Sequence, residues 1–488
     1  MSLILYASAA ITVILHIAIF VGIAVRVIML RPAPGVALAW LLLVAVLPLL
    51  GLPLYLLFGE RRVGQKRAQR MATQRADFEE LGKEFIKEHM TTVDWSTHPP
   101  ENQMMNRLGM NKRGIPTLSG NELKLYSDTQ GILAAIAADV DRAESSVQMA
   151  FYIWHEGGTA DEVLEAVIRA ARRGVRCRLL IDHLGARPWW RGKQPGRLQE
   201  AGVELQHALP VGLLKGFVTR NDLRLHRKIV TIDGEIGWTG SMNLVDPRFF
   251  KQDAGFGEWI DAMVRIEGNA VLVLGATLIG DWQRETGEDT RRLIESADLH
   301  RVRRVGKADV QVIPSGPGES SDALLQMLLG LINGARHELI LTTPYFVPDD
   351  AMLRAIRGAA GRGAEVDLIL PARVDSTLVR YASRSYYDDL MDAGVRIRPF
   401  RGGLLHTKSI TVDGEASMIG TANLDMRSLW LNYEISTFVY DANFTRRLRA
   451  LQAAYLKDCD TIDRQAWMTR RFAPRFVENA FRLVSPLL

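Results

Sequence analysis

The sequence predicts an α/β protein made of two homologous halves with pseudo-twofold symmetry, preceded by two transmembrane helices. Three observations carry this reading. A helix-to-strand word recurs: Ala170-Ala171-Arg172-Arg173-Gly174-Val175 leads into Arg178–Ile181, and Ala359-Ala360-Gly361-Arg362-Gly363-Ala364 leads into Asp367–Leu370. A polar pattern, His226-x-Lys228-x-x-x-x-Asp233, returns 180 residues later as His406-x-Lys408-x-x-x-x-Asp413. Residues 1–25 and 35–59 contain no Lys, Arg, Asp or Glu, in a chain that is 24% charged.

Taken in chain order, each uncharged run would form a helix of roughly 37 Å, enough to cross a hydrocarbon layer of about 30 Å. The first is not a cleavable leader by pattern, because its first basic residue is Arg26 and a second apolar run follows. Ser8, Thr12 and His16 make it imperfect, and Pro48 and Pro53 should kink the second run. Arg26 and Arg31 lie between the runs, whereas Arg61, Arg62, Lys66, Arg67 and Arg70 follow them. The larger basic cluster should stay cytoplasmic beside an anionic leaflet, which puts the bulk of the chain inside. The expected organisation is a membrane anchor over 1–59, a basic and partly helical linker over 60–118, a first half over 119–297 and a second half with a C-terminal tail over 298–488.

A chain of 488 residues exceeds one ordinary core. Its net charge of +5 favours anionic partners, lipid or nucleic acid, without choosing between them. Cys177 and Cys459 form neither a disulfide framework nor a metal-ligand spacing.

Each half reads strand–helix–strand–helix–strand followed by a hairpin. Apolar runs at Met149–Trp154 and Leu339–Val347 precede the repeated words, and Ala201-Gly202-Val203 matches Ala393-Gly394-Val395. In the hairpins, Arg224–Ile232 should be one strand, Asp233-Gly234 a tight turn and Glu235–Thr239 the return, with Asp413-Gly414 as the second copy of the turn. Residues two apart on a strand share a face, so His226 should project with Lys228 and His406 with Lys408.

These residue types suit phosphodiester chemistry. One imidazole can attack phosphorus while the other protonates a leaving oxygen, giving a phospho-histidine intermediate. Two ammonium groups can stabilise the charge of the five-coordinate transition state, so no metal is required. His226, Lys228, Asp233, His406, Lys408 and Asp413 are therefore the catalytic candidates. Within that set, Asp233 and Asp413 sit at turns, where their expected task is to hold the hairpins. A Gly-hydroxyl-x-Asn signature follows each motif, and its Ser241, Asn243, Thr421 and Asn423 are expected to donate to phosphate oxygens. Asp261 and Glu434, at the ends of Trp259-Ile260-Asp261 and Asn432-Tyr433-Glu434, are expected to orient the two imidazoles.

At these residues the chain resembles the phospholipase D superfamily, and within it the bacterial membrane-bound cardiolipin synthases. The words that carry the likeness are Thr239-Gly-Ser-Met-Asn-Leu-Val-Asp-Pro-Arg248, Thr342-Thr-Pro-Tyr-Phe-Val-Pro348, Gly402-Gly-Leu-Leu-His-Thr-Lys408 and Asn423-Leu-Asp-Met-Arg-Ser-Leu-Trp-Leu-Asn432. The resemblance implies two phospholipase D-type α/β sandwich halves at a bacterial inner membrane. It implies transfer of a phosphatidyl group from one phosphatidylglycerol to another, giving cardiolipin and glycerol without a cofactor, with His226 as nucleophile and His406 as general acid and base. Alternatives that share the site are a phospholipase D hydrolase, another phosphatidyltransferase and a membrane-anchored nuclease. No aromatic-interleaved basic groove favours the last, so no nucleic-acid partner is expected.

Three further segments are open. Pro188-Trp-Trp-Arg191 and Leu213-Leu-Lys-Gly-Phe217 combine apolar side chains with a cation, as lipid contacts or as ordinary loop and core residues. Trp467–Leu488 is either an interfacial amphipathic helix or a terminal helix packed on the body. Arg427 is either a phosphate contact or the partner of an acid such as Asp425.

Overall fold

The computed structural model describes residues 2–32, 34–59, 69–70, 93–212, 220, 222–251, 255–296, 298–299, 305–319 and 322–483. The chain divides into an N-terminal unit, Met1–Gln65 with Val211–Asp222, and a body, Lys66–Pro210 with Leu223–Leu488. In the first unit, α1 (Ser2–Leu30) contains one stretch, Ala10–Leu30, long and apolar enough to cross a membrane. The second apolar run is divided. It forms α2 (Pro34–Val46) and α3 (Pro48–Leu54), because Pro48 opens a new helix while Leu47 leaves helical geometry. Pro53 sits inside α3. Ile23 and Val27 pack with Val44 and Tyr55, and Trp40 meets Tyr55 edge-on at 5.5 Å. Of the basic cluster, only Arg70 falls among the described residues. Its guanidinium donates to the carbonyls of Arg284 and Glu285, at 2.8 and 2.9 Å, and so caps a helix C-terminus.

The described residues of the body hold nineteen strands, fifteen in one sheet and four in two separate two-stranded sheets. The first half contributes β1 (Leu118–Tyr126), β2 (Ser146–Phe151), β3 (Arg176–Asp182), β4 (Glu204–Ala208), β5 (Arg224–Leu225), β6 (Ile229–Ile232), β7 (Ile236–Gly240), β8 (Trp259–Ile260) and β9 (Met263–Glu267). The second contributes β10 (Ala308–Ser315), β11 (Glu338–Thr342), β12 (Phe346–Val347), β13 (Glu365–Pro371), β14 (Arg396–Phe400), β15 (Leu404–Leu405), β16 (Ser409–Val412), β17 (Ala416–Gly420), β18 (Leu424–Asp425) and β19 (Asn432–Val439). The main order is β14-β13-β11-β16-β17-β19-β10-β1-β9-β7-β6-β2-β3-β4. Its two ends mirror each other about the β10–β1 pair, which is the pseudo-twofold relation written in topology. Asn121 secures that seam: its amide donates to the carbonyls of Leu118 and Ala308, and its oxygen accepts from the Ala270 amide.

Period-two alternation splits each strand between two helical layers. Val147, Met149 and Phe151 face the core that also holds Val163, Leu164 and Val167 of the helix Thr159–Arg172. In the second half Leu339 and Leu341 face the corresponding core, whereas Ile340 between them packs with Tyr455 of the helix Ala442–Lys457. Gly237 has a packing reason: a Cβ there would lie 2.7 Å from Leu274 of the helix Ala270–Thr286, so the bare position lets that helix approach. The 60–118 segment holds more structure than a linker. Pro100–Arg113 is a helix whose Met105 enters the second half's core, and β1 begins at Leu118.

One expectation changes here, and one open segment is placed. Arg224–Ile232 is not one strand: residues 226–228 separate β5 from β6, because β5 pairs in parallel with β19 before β6 joins the hairpin. In the segment at 188–191 the tryptophans pack against the body, while Pro188 and Arg191 are exposed. Trp189 is buried, stacks on Trp154 at 4.8 Å and donates to Gln194, while Trp190 stacks on His207 at 3.5 Å. The 213–217 segment lies outside the described residues.

Candidate active site

Both hairpin turns take the conformation that their sequence demands. Asp233 and Asp413 have φ of 52° and 53°, and Gly234 and Gly414 follow at 66° and 70°, as a type I′ turn requires. The two aspartates do not reach the histidines. Asp233 accepts from the amides of Glu144, Ser145 and Ser146 at 2.8–2.9 Å, and Asp413 accepts from those of Arg336, His337 and Glu338 at 2.7–2.9 Å. Each thereby pins the chain entering the neighbouring strand, β2 or β11, to the hairpin. Asp233 lies five positions beyond Lys228, across the four-residue strand β6, roughly 17 Å away, which leaves the aspartates no direct catalytic part. Replacing Asp413 by Ala leaves three amides without their acceptor. It should lower unfolding stability by about 2–3 kcal/mol in denaturant titration, with kcat of the folded fraction within severalfold.

The histidines are delivered by strand crossing. β5 pairs with β19 so that Arg224 faces Asn432 and Leu225 faces Tyr433. The next residues in that register are His226 and Glu434, and the His226 amide donates to the Tyr433 carbonyl at 2.9 Å. β15 pairs with β8 so that Leu404 faces Trp259 and Leu405 faces Ile260, and the next residues are His406 and Asp261. The carboxylates are therefore exchanged between halves. His226 Nδ1 lies 2.9 Å from both oxygens of Glu434, and His406 Nδ1 lies 2.7 Å from Asp261 Oδ1. With Nδ1 engaged, Nε2 of each ring remains for chemistry.

Ser241 and Thr421 do not stand ready for a phosphate. Ser241 Oγ donates to Asp261 Oδ1 at 2.5 Å, and Thr421 Oγ1 donates to Glu434 Oε2 at 2.5 Å. A hydroxyl has one hydrogen to give, and here it steadies the carboxylate behind the imidazole. Asn432 adds a third donor to Glu434 at 3.1 Å, a contact that the sequence reading missed. Asn243 is buried and accepts from the Ile153 amide at 3.2 Å, which leaves its NH2 as the donating end. Asn423 is also buried. Each lysine folds back on its own motif: Lys228 Nζ donates to the His226 carbonyl at 2.7 Å and Lys408 Nζ to the His406 carbonyl at 2.6 Å.

Burial dominates the electrostatics. It pushes the His226 imidazole down to about 4 against the upward pull of Glu434, and His406 down to about 4 with Lys408 adding to the effect and Asp261 opposing it. Burial also pushes the Lys228 ammonium down to about 8, and Lys408 goes well below its ordinary value. It would raise Glu434 and Asp261, but the facing imidazoles and nearby lysines hold both carboxyls low. The cations of each half act on the other's: Lys408 bears on His226 and Lys228 on His406. At neutral pH the site thus holds uncharged imidazoles, with the two lysines facing the two ionised carboxylates. Tyr152 packs edge-on to His226 at 5.1 Å and Trp259 leans on His406 at 4.5 Å, so each ring has an aromatic wall. Arg227, between His226 and Lys228, points away. It is fully buried, donates to Asp281 at 2.5 Å and to the Glu434 carbonyl at 2.9 Å, and ties the motif to the core.

Comparison with known proteins follows the same lines. Residues 136–254 and 328–453 match the family described as "Cardiolipin synthase, PLD-like domain", and residues 18–60 match a phospholipase D-nuclease N-terminal family. Cardiolipin synthase A of Serratia proteamaculans is 43% identical over 469 residues, covering 96% of each chain. The protein of the same name from Edwardsiella ictaluri is 42% identical and covers 98% of this chain and 99% of its own. Among solved structures, a phosphatidylserine synthase from Haemophilus influenzae superposes with a TM-score of 0.60 at 15% identity, over 79% of this chain and all of its own, a likeness of fold.

Proposed function

This chain belongs to the cardiolipin synthase family with phospholipase D-like domains, and from that membership we propose that it joins two phosphatidylglycerol molecules into cardiolipin and releases glycerol. It is a phosphatidyltransferase. The observation that carries the proposed mechanism is the exchanged pairing, in which each imidazole is held through Nδ1 by a carboxylate of the opposite half.

In the first step His226 Nε2 attacks the phosphorus of one phosphatidylglycerol. The P–O bond to the glycerol headgroup breaks, and His406 gives its Nε2 proton to the departing oxygen. Arrival of the anionic phosphate raises the proton affinity of His406 from its low resting value, so substrate itself prepares the acid. In the second step His406 takes the proton from a glycerol hydroxyl of a second phosphatidylglycerol. That oxygen attacks phosphorus, the P–N bond breaks, and His226 is regenerated. Lys228 and Lys408 neutralise the phosphate oxygens, and the amide groups of Asn243 and Asn423 donate to them. The near symmetry of the site also permits the two histidines to exchange roles.

The membrane reading is that α1 and the divided α2–α3 segment are two passes, with the body on the cytoplasmic side of a bacterial inner membrane. Protease added to sealed spheroplasts should leave the body intact; its digestion there would reverse the orientation. The reaction is tested by giving the purified chain vesicles of phosphatidylglycerol alone. Cardiolipin with equimolar glycerol is expected, whereas phosphatidic acid would identify a hydrolase and no turnover would sink the reading.

The protonation pattern sets a pH profile. His226 must be neutral to attack, and burial pushes its pKa down to about 4, so activity is lost as pH falls through that value. Lys228 must be charged, and it is pushed down to about 8, so activity is lost as pH rises through that value. Free His406 is also held down at about 4 and must take up a proton before it can act as the acid, so the expected kcat/KM, read from initial rates in a pH series, is greatest near pH 4 and falls as pH rises. A decline centred on the ordinary imidazole value of about 6.5 would contradict it.

A further inference from the structure

The segment after the second half is an amphipathic helix mounted the opposite way from a helix of a soluble core. The helix Phe472–Arg482 has eleven residues and buries only Glu478, which is 3% exposed. Glu478 accepts from Arg384 Nε at 2.6 Å and Arg470 Nη1 at 2.8 Å. Phe481 stacks on Tyr381 at 5.3 Å, and Arg482 donates to Asp389 at 2.8 Å. The helix is thus attached to the body by ion pairs, by Phe481 stacked on Tyr381 at the edge of the second half's core, and by Arg482 over the Tyr386 ring at 4.4 Å. Its other side carries Phe472, Phe476, Ala480 and Leu483, spaced as one stripe of a 3.6-residue helix. Phe472 is 79% exposed, Phe476 61% and Leu483 82%.

Scattered exposed apolar residues need no explanation, but clustered ones do. Of nine large apolar side chains strongly exposed among the described residues of the body, five fall between 468 and 483. Residues 464–483 also contain five arginines and one acid. Arg471 is exposed, and Arg475 keeps 44% of its side chain in solvent while standing 3.7 Å from Asp388. An apolar stripe edged by arginines matches the boundary between acyl chains and anionic headgroups.

We propose that the face Phe472–Phe476–Leu483 seats the body on an anionic phospholipid surface, independently of the N-terminal helices. The proposal goes beyond the reaction assigned above and rests on a different observation. Arg464, Arg470 and Arg482 are ion-paired to Asp392, Glu478 and Asp389, but exposed Arg471 and half-exposed Arg475 leave a cationic edge beside the stripe, which suits anionic headgroups better than a like surface of a second copy.

The test uses the full-length chain in vesicles that contain phosphatidylglycerol. Phe476→Cys is labelled with an environment-sensitive fluorophore. The native thiols interfere little, because burial pushes Cys177 and Cys459 up to about 12 and so keeps them protonated. Quenching by doxyl-labelled lipids together with protection from aqueous iodide is expected. Free quenching by iodide would overturn the proposal, and so would protection from both quenchers, which would mean protein covers the stripe. As a second measurement, F472S/F476S should raise the interfacial KM about tenfold on sparse phosphatidylglycerol, with kcat and melting behaviour retained. An unchanged KM would also overturn it. The fluorescence readout does not depend on turnover, so it stands apart from failure of the synthase reading.

Discussion

His226→Ala and His406→Ala should each lower turnover of phosphatidylglycerol vesicles by about 10^4-fold or more while the chain keeps its fold. An imidazole supplies the bond-forming lone pair in one case and the proton in the other, and loss of a covalent or acid–base partner costs on this scale. Folding should survive because neither ring forms part of a hydrophobic core cluster; circular dichroism and melting curves check this. The two losses should not multiply in the double variant, because residues that act as one unit fail together. Full activity of either single variant would remove the ground for a shared site.

The second large effect concerns the exchanged carboxylates. Glu434→Gln and Asp261→Asn should each lower kcat by about 10^2 to 10^4-fold with little change in KM, because the imidazole is released from its working tautomer. The pairing makes the two variants distinguishable. Glu434 faces His226 and Asp261 faces His406. A phosphatidyl ester of p-nitrophenol needs no acid to expel its leaving group. Its burst of nitrophenol should therefore survive in Asp261→Asn and vanish in Glu434→Gln. The reverse pattern would assign the nucleophile to His406.

What the sequence made legible divides along physical lines. Paired motifs, tight turns and period-two strands are local, and they appear where residue spacing puts them; Asp233-Gly234 and Asp413-Gly414 are instances. The exchange of Glu434 and Asp261 between halves was beyond that reach. It depends on β5 meeting β19 across 208 residues of chain, and nothing local to His226 announces it. The strands that fuse the halves, β1 and β10, were likewise missed: β1 begins in a charged stretch, and its partner is found only by folding. Ser241 and Thr421 looked like phosphate donors because a hydroxyl near a histidine can serve either an anion or a carboxylate. Composition cannot say which, and the position of Asp261 and Glu434 behind them does. Trp189 stayed open between two readings for a related reason, since an indole suits a membrane interface and a core equally well.

The mechanism is tested most directly by catching the covalent enzyme. The full-length chain is mixed with phosphatidylglycerol carrying radiolabelled phosphorus, quenched within a turnover in alkaline denaturant, and digested for peptide mapping. Label on the peptide that contains His226, absent from His226→Ala and chased into cardiolipin by unlabelled phosphatidylglycerol, is the expected result. Undiminished turnover with no phosphorus on either histidine would contradict an imidazole nucleophile.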